Sequence, residues 1–337
     1  MLNTFIKTHR TSTMKSKRSI NFILQEGGIG LILIFIVIIF ALTAPRFATL
    51  LNFTNIMQQI SINTAISVGM TFVILLGGID LSVGSVLALA TILAGKVLIT
   101  ENMSIPAAVV LSALAGIGVG MLCGLFNGFV SVRWKIPPFI VTLGMMNIAR
   151  GAALQISNSR TIFGFPTSFN KFGTVNLFNV LPSIFLIALA LVIIGHFILK
   201  YTVFGRMIYA IGNNEEAVRL SGHNTAIYKI AAFAFCGFTV GVAAIMYMLR
   251  LNIASPILGT GFDMNAIAAT VIGGTSMSGG KGSMVGTFLG ACIIGVLNNG
   301  LLLIGLGDNA RQIVTGFIII FAVVIDTYRV KFANRTE

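Results

Sequence analysis

The sequence predicts an all-α polytopic membrane protein with about ten transmembrane helices and both chain ends in the cytoplasm. Of the 337 residues, 56% are hydrophobic and 9% are charged, whereas soluble domains carry about a quarter charged residues. Apolar runs near the ~20 residues that cross a hydrocarbon layer of ~30 Å recur along the chain. The basic residues lie in short pieces between these runs, which is how membrane proteins set their orientation.

Ten spans follow from these runs and predict the orientation. With the N-terminus inside, Arg150 falls within a span, and six basic residues lie on outer pieces: Arg46, Lys96, Arg160, Lys171, Arg250 and Arg311. The other fifteen of the 22 lysines and arginines lie on cytoplasmic pieces, an excess that favours this orientation. The spans are 28–44, 53–77, 82–100, 105–131, 137–156, 181–199, 228–249, 263–277, 284–304 and 309–327.

The chain divides into one membrane domain and two short tails. Residues 1–25 form a basic cytoplasmic tail, 26–330 the membrane domain, and 331–337 a second cytoplasmic tail. The N-terminus resembles a secretion signal, but Leu42 stands where a cleavage site needs a small residue. We therefore expect an uncleaved first transmembrane helix.

Composition and motif spacing exclude several classes of protein. The net charge of +13 does not come from a continuous basic face with aromatic platforms, so nucleic-acid binding is not expected. Cys123, Cys236 and Cys292 lie inside apolar runs, which argues against disulfide bonds. The sequence offers no nucleophile, metal-ligand spacing or acid–base pair for catalysis, so we expect no catalytic residues, no metal and no bound cofactor.

One stretch, TSMSGGKGS, resembles the nucleotide-binding loop G-x-x-x-x-G-K-[ST]. Its leading position is Thr275, not glycine, and Lys281 is followed by Gly282. We therefore expect that this chain does not bind ATP and that any hydrolysis belongs to a partner.

The longest polar interruption is the segment 204–230, predicted to be cytoplasmic. Asn213 suits a helix N-cap, and Glu216 three residues later completes a capping-box pattern. Gly222 stands where a glycine would end the helix. These signals predict a short helix over about 214–221, with Ala217 and Leu220 on one side. Such a helix either lies in the lipid interface or docks onto a soluble protein, which its paired acids favour.

Two glycine-containing segments interrupt the spans. Span 263–277 is too short to cross a bilayer and runs into a stretch with Gly273, Gly274, Gly279 and Gly280 that cannot stay helical. This stretch is either an interrupted helix beside a pathway or an ordinary cytoplasmic turn. Before the third span, Asp80 or Ser82 is expected to cap the helix.

Two outer segments, 157–180 and 250–262, are long enough to receive a partner protein. A solvated loop is the simpler interpretation of each.

The polar segment resembles the coupling segment of sugar ABC-importer permeases of the ribose, arabinose and galactose type, within the branched-chain amino acid/sugar permease superfamily. Four further motifs match that family in the same order, from about residue 28 to the chain end, and the last of them is closest to the ribose branch. The motifs are LGGIDLSVGSVLALA (76–90), CGLFNGFV (123–130), PPFIVTLGMMNIARG (137–151) and IGGTSMSGGKGSMVGTFLGACIIGVLNNGLLLIG (272–305).

The resemblance implies a permease subunit of the bacterial inner membrane that translocates ribose or a similar monosaccharide. Its partners would be an ABC ATPase subunit, an extracytoplasmic sugar-binding protein and a second permease copy, in a homodimer or a heterodimer. ATP and Mg would bind to the ATPase subunit. By this resemblance, the residues that couple to the ATPase would be Gly205, Arg206, Asn213, Glu215, Glu216, Ala217, Leu220, Ser221 and Gly222.

An uncharged sugar needs hydrogen-bonding side chains along its path. The polar residues within or beside predicted spans are therefore pathway candidates, although each also suits a hydrogen bond between packed helices. Arg150 faces a cavity or snorkels to the outer surface. The candidates are Asn127, Thr142, Asn147, Arg150, Gln155, Asn265, Asn298 and Asn299.

Two other functions compete with the importer permease. An ion-coupled secondary transporter of a small polar solute would need a buried acid within a span, and the acids here lie near span ends. A membrane enzyme would need the catalytic constellation that the sequence lacks. Within the family, permeases for another pentose, a hexose or a furanosyl signalling molecule remain alternatives.

Overall fold

The structure is a computed structural model that describes residues 26–101, 103–177 and 180–333. The predicted basic tail, 1–25, and residues 334–337 of the second tail lie outside the described residues. Twelve helices and one pair of short strands make up the described part. They are α1 (Glu26–Thr43), α2 (Leu50–Leu75), α3 (Val83–Leu98), α4 (Ile105–Trp134), α5 (Pro138–Ser157), α6 (Thr167–Thr174), β1 (Asn176–Leu177), β2 (Leu181–Pro182), α7 (Ser183–Tyr201), α8 (Val203–Leu220), α9 (Thr225–Leu251), α10 (Phe262–Ile272), α11 (Met284–Leu303) and α12 (Asp308–Ala333).

Each of the ten predicted spans corresponds to a helix, so the all-α prediction is confirmed. In the described residues, seven helices are long and apolar enough to cross a membrane, judged by length and composition: α1, α2, α4, α5, α7, α9 and α11. The apolar stretches Val83–Leu98, Phe262–Ile272 and Asn309–Phe321 are shorter. The count of ten crossings therefore stays a prediction.

The bundle has two ends, named here the α8 end and the α6 end after a helix that lies at each. At the α8 end, the connections after α2, α4 and α10 approach α8 and the start of α9. At the α6 end, the last residues of α9 pack against α6, where Gly173 approaches the backbone of Leu249.

The centre of the bundle is held by the close approach of α4 and α9. A β-carbon on Gly120 would overlap the carbonyl oxygen of Gly237, and one on Gly237 would overlap that of Gly120. Gly124 likewise lies against the backbone of Phe233. Small residues let membrane helices pack this closely. Gly120 and Gly124 thus permit the close approach of α4 and α9, whereas Gly118 has no neighbouring atom within 4 Å and is open.

Helix α3 begins well inside the bundle. It has 16 residues, whereas α2 has 26, so α3 is about 24 Å long and α2 about 39 Å. The difference is covered by residues 76–82, which are irregular and run inward from the α8 end.

Helix α10 also begins inside the bundle, because the segment before it enters from the α6 end. Ala254 lies against Gly95 of α3, and the backbone of Gly259 lies against Gly84. Gly95 and Gly84 are three helical turns apart, about 16 Å along the axis. Residues 252–261 therefore run along most of α3 before α10 starts. The interpretation of 250–262 as a solvated loop is wrong, since Ala254 and Ser255 are buried.

The other outer segment, 157–180, is also more than a solvated loop. It contains α6, and β1 pairs antiparallel with β2 just beyond it. Phe165 and Phe169 are buried, and their rings meet edge to face at 5.9 Å. Burying these two aromatic side chains fixes the segment over the end of the bundle, which the mixed polar sequence did not predict.

The stretch 273–283 is irregular, as its glycines predict. Helix α10 ends at Ile272, five residues before the end of the predicted span, so it has 11 residues. Four glycines have positive φ angles: Gly274, Gly279, Gly280 and Gly282.

Candidate coupling face and pathway residues

Helix α8 is broken at Asn214, whose backbone angles are φ −160° and ψ 94°. Before the break, Met207, Ile208 and Ile211 are buried in the bundle. After the break, residues 215–220 form a short exposed helix. The predicted short helix over 214–221 is thus present, as the second part of α8.

The capping residue differs from the prediction by one position. The side chain of Asn214, not Asn213, accepts a hydrogen bond from the Ala217 amide at 3.0 Å. The expected capping box between Asn213 and Glu216 is therefore wrong. Asn213 ends the first part of α8, where its side-chain amide donates to the carbonyl of Tyr209 at 3.1 Å.

The two acids after the break each have a basic partner. Glu215 accepts from Lys229 at 2.5 Å and from the Thr225 hydroxyl at 3.1 Å, which ties the short helix to the start of α9. Glu216 pairs with Arg219 at 2.7 Å, and both side chains are exposed. The hydrogen bond from Arg219 lowers the pKa of Glu216 below its ordinary value.

Gly205 lies near the start of α8 and Gly222 just beyond its end, where the sequence predicts a glycine after the short helix. Gly205 is buried where α7 turns into α8, and a β-carbon there would overlap the backbone of Leu199. Gly222 has φ +84°, and its amide donates to the Arg219 carbonyl at 3.0 Å, just beyond the C-cap Ser221. Arg206 is exposed on the first part of α8.

The short helix presents apolar as well as charged side chains to its surroundings. On the short helix, Leu220 is 77% exposed and Ala217 is exposed too. Nearby, at the start of α9, Ile227 is 63% exposed. Beside it a cleft of about 840 Å³ opens between the α2–α3 connection, the α4–α5 connection and α9. Glu215, Glu216 and Arg219 line one side of that cleft, and Lys135 and Lys229 contribute further charges.

A cluster of buried polar side chains holds the start of α3. The Asp80 carboxylate accepts from the Ser82 hydroxyl at 2.6 Å and from the Ser82 amide at 2.9 Å. Asn127 of α4 donates to the same hydroxyl at 3.0 Å. Of the two expected caps, Ser82 occupies the N-cap position of α3 but its side chain forms no cap hydrogen bond. Asp80 accepts a hydrogen bond from the amide of Ser82.

Three of the pathway candidates are buried in contacts between elements. Asn127 contacts Ser82. Thr142 of α5 accepts from the Leu81 amide at 3.2 Å. Asn299 of α11 exchanges two hydrogen bonds with Asn52 of α2, at 3.0 and 2.9 Å. The Asn299–Asn52 pair is the interhelical hydrogen bond that the sequence left open as an alternative. Asn127 and Thr142 instead join their helices to the irregular segment 76–82.

The remaining pathway candidates lie nearer the surface. Asn147 and Gln155 are exposed on α5, and Asn147 donates to the carbonyl of Leu143 in its own helix. Asn265 and Asn298 are partly exposed. Their place in a pathway stays a prediction.

Arg150 reaches from α5 to the segment that enters beside α3. Its guanidinium donates to the carbonyl oxygens of Pro256 and Leu258, the latter at 2.8 Å. Arg150 therefore fixes the segment 252–261, and the start of α10 depends on where that segment lies.

The glycine stretch 273–283 packs into the bundle. Gly273 lies against the backbone of Gly286, so α10 and α11 touch directly. Gly279 and Gly280 lie against the end of α2, where the Gly280 amide donates to the Leu75 carbonyl at 2.8 Å. Among the described residues, no three His, Cys, Asp or Glu side chains are grouped to hold a metal ion.

Several residues of this region were missed from the sequence. Asn214 caps the short helix, a role that was predicted from the sequence for Asn213. Lys229 pairs with Glu215, and the sequence indicated the acid but not its basic partner. Tyr209 donates its hydroxyl to the Gly282 carbonyl at 2.9 Å.

A further residue was missed in the middle of α2. Both polar side-chain atoms of Asn63 are enclosed there and have no hydrogen-bond partner within the described part. The sequence could have indicated Asn63, because an amide side chain is unusual within an apolar span.

The fold and this face define a helical membrane protein with a short, exposed and charged helix at one end. Comparisons with known proteins identify its family. The family described as "Branched-chain amino acid transport system / permease component" matches residues 52–323. The ribose import permease protein RbsC of Escherichia coli K12 is 37% identical over 321 residues, which are 94% of this chain and 98% of that protein. A comparison with solved structures finds no match.

Other relatives share the same length. RbsC of Bacillus subtilis is 37% identical over 95% of this chain and 98% of its own length. The D-allose transport system permease protein AlsC of Escherichia coli is 36% identical over 95% of this chain and 97% of its own. The chain belongs to this family of permease components, and it is a multi-pass membrane protein. The resemblance drawn from the motifs is thereby confirmed.

Proposed function

We propose that this chain is the membrane-spanning permease subunit of an ATP-driven importer in a bacterial plasma membrane. Its substrate is ribose or a similar monosaccharide, delivered by an extracytoplasmic binding protein. The observation that carries the proposal is similarity to ribose import permeases over 94% of the chain. Permeases for D-allose and fructose are 36% identical to this chain. The comparisons therefore support a monosaccharide as the substrate but do not distinguish ribose from other sugars.

In this proposal the chain crosses the membrane ten times with both ends inside. The α8 end then faces the cytoplasm, which agrees with the excess of Lys and Arg predicted on that side. The α6 end faces outward, where the binding protein delivers the sugar.

The second part of α8 is the docking site for an ABC ATPase subunit. It is exposed, it carries two acids whose charges are held at fixed positions by Lys229 and Arg219, and it displays Leu220 to the surroundings. Exposed apolar residues rimmed by charges are typical of protein–protein contacts. Residues 213–222 with Gly205 and Arg206 form the coupling region. The adjacent cleft enlarges the surface that the ATPase subunit can contact.

ATP and Mg²⁺ bind to the partner, and this chain itself has no ATPase site or cofactor. Closure of two ATPase subunits on ATP pulls the two short helices of a permease dimer together and changes the helix arrangement around the pathway.

A second permease copy completes the pathway. Asn147 and Gln155 project from α5 away from the bundle, where lipid offers no hydrogen-bond partner. If a second copy faces α5 across a water-filled space, Asn147 and Gln155 can form hydrogen bonds with that water. An uncharged sugar in the same space can form hydrogen bonds with the same amide groups. The dimer contains two identical chains or two related ones.

The first test is a pull-down of the tagged chain from its own membranes in mild detergent, with its partners identified by mass spectrometry. Recovery of a soluble ATPase supports the proposal, and a co-purifying binding protein is then screened for its sugar. Recovery of the chain alone, even after crosslinking, would contradict it.

The same assay tests the docking helix. Replacing both Glu215 and Glu216 with arginine reverses the charge of the exposed surface, so we expect ATPase association and uptake to be lost while membrane insertion stays normal. The control is Glu101→Arg, a reversal of one charge in an exposed turn remote from α8, which should leave association unchanged. Unchanged uptake by the double variant argues against docking there.

A further inference from the structure

Three parts of the chain meet at Gly212, in the last turn before the break in α8. A β-carbon on Gly212 would overlap the carbonyl oxygen of Leu75 and lie 2.5 Å from the amide nitrogen of Gly280. The Gly280 amide in turn donates to the Leu75 carbonyl at 2.8 Å. The end of α2, the first part of α8 and the stretch 273–283 thus share one backbone junction, which admits no side chain at position 212.

Two polar side chains of α8 hold the glycine stretch at this junction. The Tyr209 hydroxyl donates to the Gly282 carbonyl at 2.9 Å, and the Asn213 amide donates to the Gly280 carbonyl at 3.5 Å. Gly279, Gly280 and Gly282 have no side chains with which to anchor themselves, and glycine backbones have wide conformational freedom. The position of the stretch therefore depends on hydrogen bonds supplied by its neighbours.

The junction leads directly to both helices that begin inside the bundle. Leu75 continues into residues 76–82, whose Asp80 and Ser82 hold the start of α3. The glycine stretch continues back into α10, and Ser283 at its far end caps α11 by accepting from the Gly286 amide at 2.9 Å. A displacement of α8 at this point is thus applied to α3, α10 and α11 together.

We infer that Tyr209 and Asn213 are positioning residues that transmit movement of the docking helix to the interrupted helices α3 and α10. The second part of α8 follows directly on the first part at Asn214. A bound partner that displaces the second part therefore also displaces the first part, which carries Tyr209, Asn213 and the junction at Gly212. The two hydrogen bonds make the glycine stretch follow α8. This inference rests on the proposed function, because it assumes a partner that moves the docking helix.

The test uses the full chain reconstituted in liposomes with its ATPase subunits and binding protein, measuring sugar uptake and ATP hydrolysis together. Tyr209→Phe removes one hydroxyl and keeps the ring. We expect ATPase association and hydrolysis to persist while sugar taken up per ATP falls about fivefold, the size expected for one hydrogen bond.

The matched control is Tyr201→Phe, at the end of α7, whose exposed hydroxyl forms no hydrogen bond in the described part. It should keep the wild-type ratio of uptake to hydrolysis. Asn213→Asp preserves shape but cannot donate to Gly280, so it should lower the ratio as well. This second variant decides the question if Tyr209→Phe does not accumulate.

The outcomes separate the inference from the proposed function. If the wild-type complex shows no ATP-dependent uptake, the proposed function fails. If the wild-type complex works and both variants keep its ratio, the inference is overturned while the function stands. A fall in thermal stability with an unchanged ratio also overturns it, since a purely structural role would produce that result.

Discussion

Asn299 and Asn52 illustrate, at the scale of single residues, why polar side chains in spans are hard to interpret from sequence. The two amides bond each other although they lie 247 positions apart in the chain. Asn127 likewise contacts Ser82 from 45 positions away. The sequence could name Asn127, Thr142 and Asn299 because amides and hydroxyls are rare in apolar runs. It could not supply their partners, which only the packing of the helices brings together.

The amide pair allows a direct test of packing against a pathway role. Replacing Asn299 alone with leucine leaves Asn52 with an unmet buried group, so we expect the free energy of unfolding to fall by about 1 kcal/mol. Replacing both residues with leucine removes the unmet group and should recover part of that loss while sugar uptake persists. Thermal unfolding in detergent and uptake in cells measure the two effects.

A different result would support a role for Asn299 in binding the substrate along the pathway. If the double variant is as stable as the wild type yet transports no sugar, the amide serves the substrate and the hydrogen bond to Asn52 is secondary.

At the scale of elements, α3 and α10 are related by where they begin. Each is a short helix preceded by an irregular segment, and the two segments enter from opposite ends of the bundle. They meet where Gly84 of α3 lies against Gly259. Irregular backbone at this depth is tolerated because protein surrounds it. Transporters use such interrupted helices beside their substrates.

Gly84→Ala tests whether this meeting point supports the fold. The added β-carbon would overlap the Gly259 carbonyl oxygen, and such overpacking costs typically about 1–3 kcal/mol. We expect a lower midpoint of thermal unfolding in detergent and reduced uptake. The control is Gly118→Ala in α4, where no atom lies within 4 Å and alanine favours the helix. Equal stability of the two variants would show that the segments do not pack as described.

The boundaries of most elements could be predicted from the sequence, because long apolar runs define the spans. The exceptions have local physical causes. Asn213 and Asn214 are equally good caps by residue type, and the packing of Gly212 against Leu75 keeps the helix going one residue further. Residues 252–261 looked like a loop because their burial depends on the contact with α3 and on the carbonyl contacts of Arg150. Both exceptions depend on contacts between residues far apart in the chain, which local sequence patterns do not reveal.

At the scale of the whole molecule, the two ends of the bundle differ in structure. The α8 end carries the exposed docking helix, the charged cleft and the backbone junction at Gly212. The α6 end is closed by α6 and the paired strands over buried Phe165 and Phe169. An importer has this asymmetry, because its energy source acts on one side and its substrate arrives on the other.

The orientation of the molecule is the last prediction. In a variant without Cys123, Cys236 and Cys292, we would introduce one cysteine at an exposed position of each end, His223→Cys and Leu177→Cys. With the α8 end inside, a membrane-impermeant maleimide applied to intact spheroplasts should label the cysteine at 177 but not the one at 223. Inside-out vesicles should give the reverse. Labelling of position 223 in intact spheroplasts would place the docking helix outside, where no ATPase could reach it.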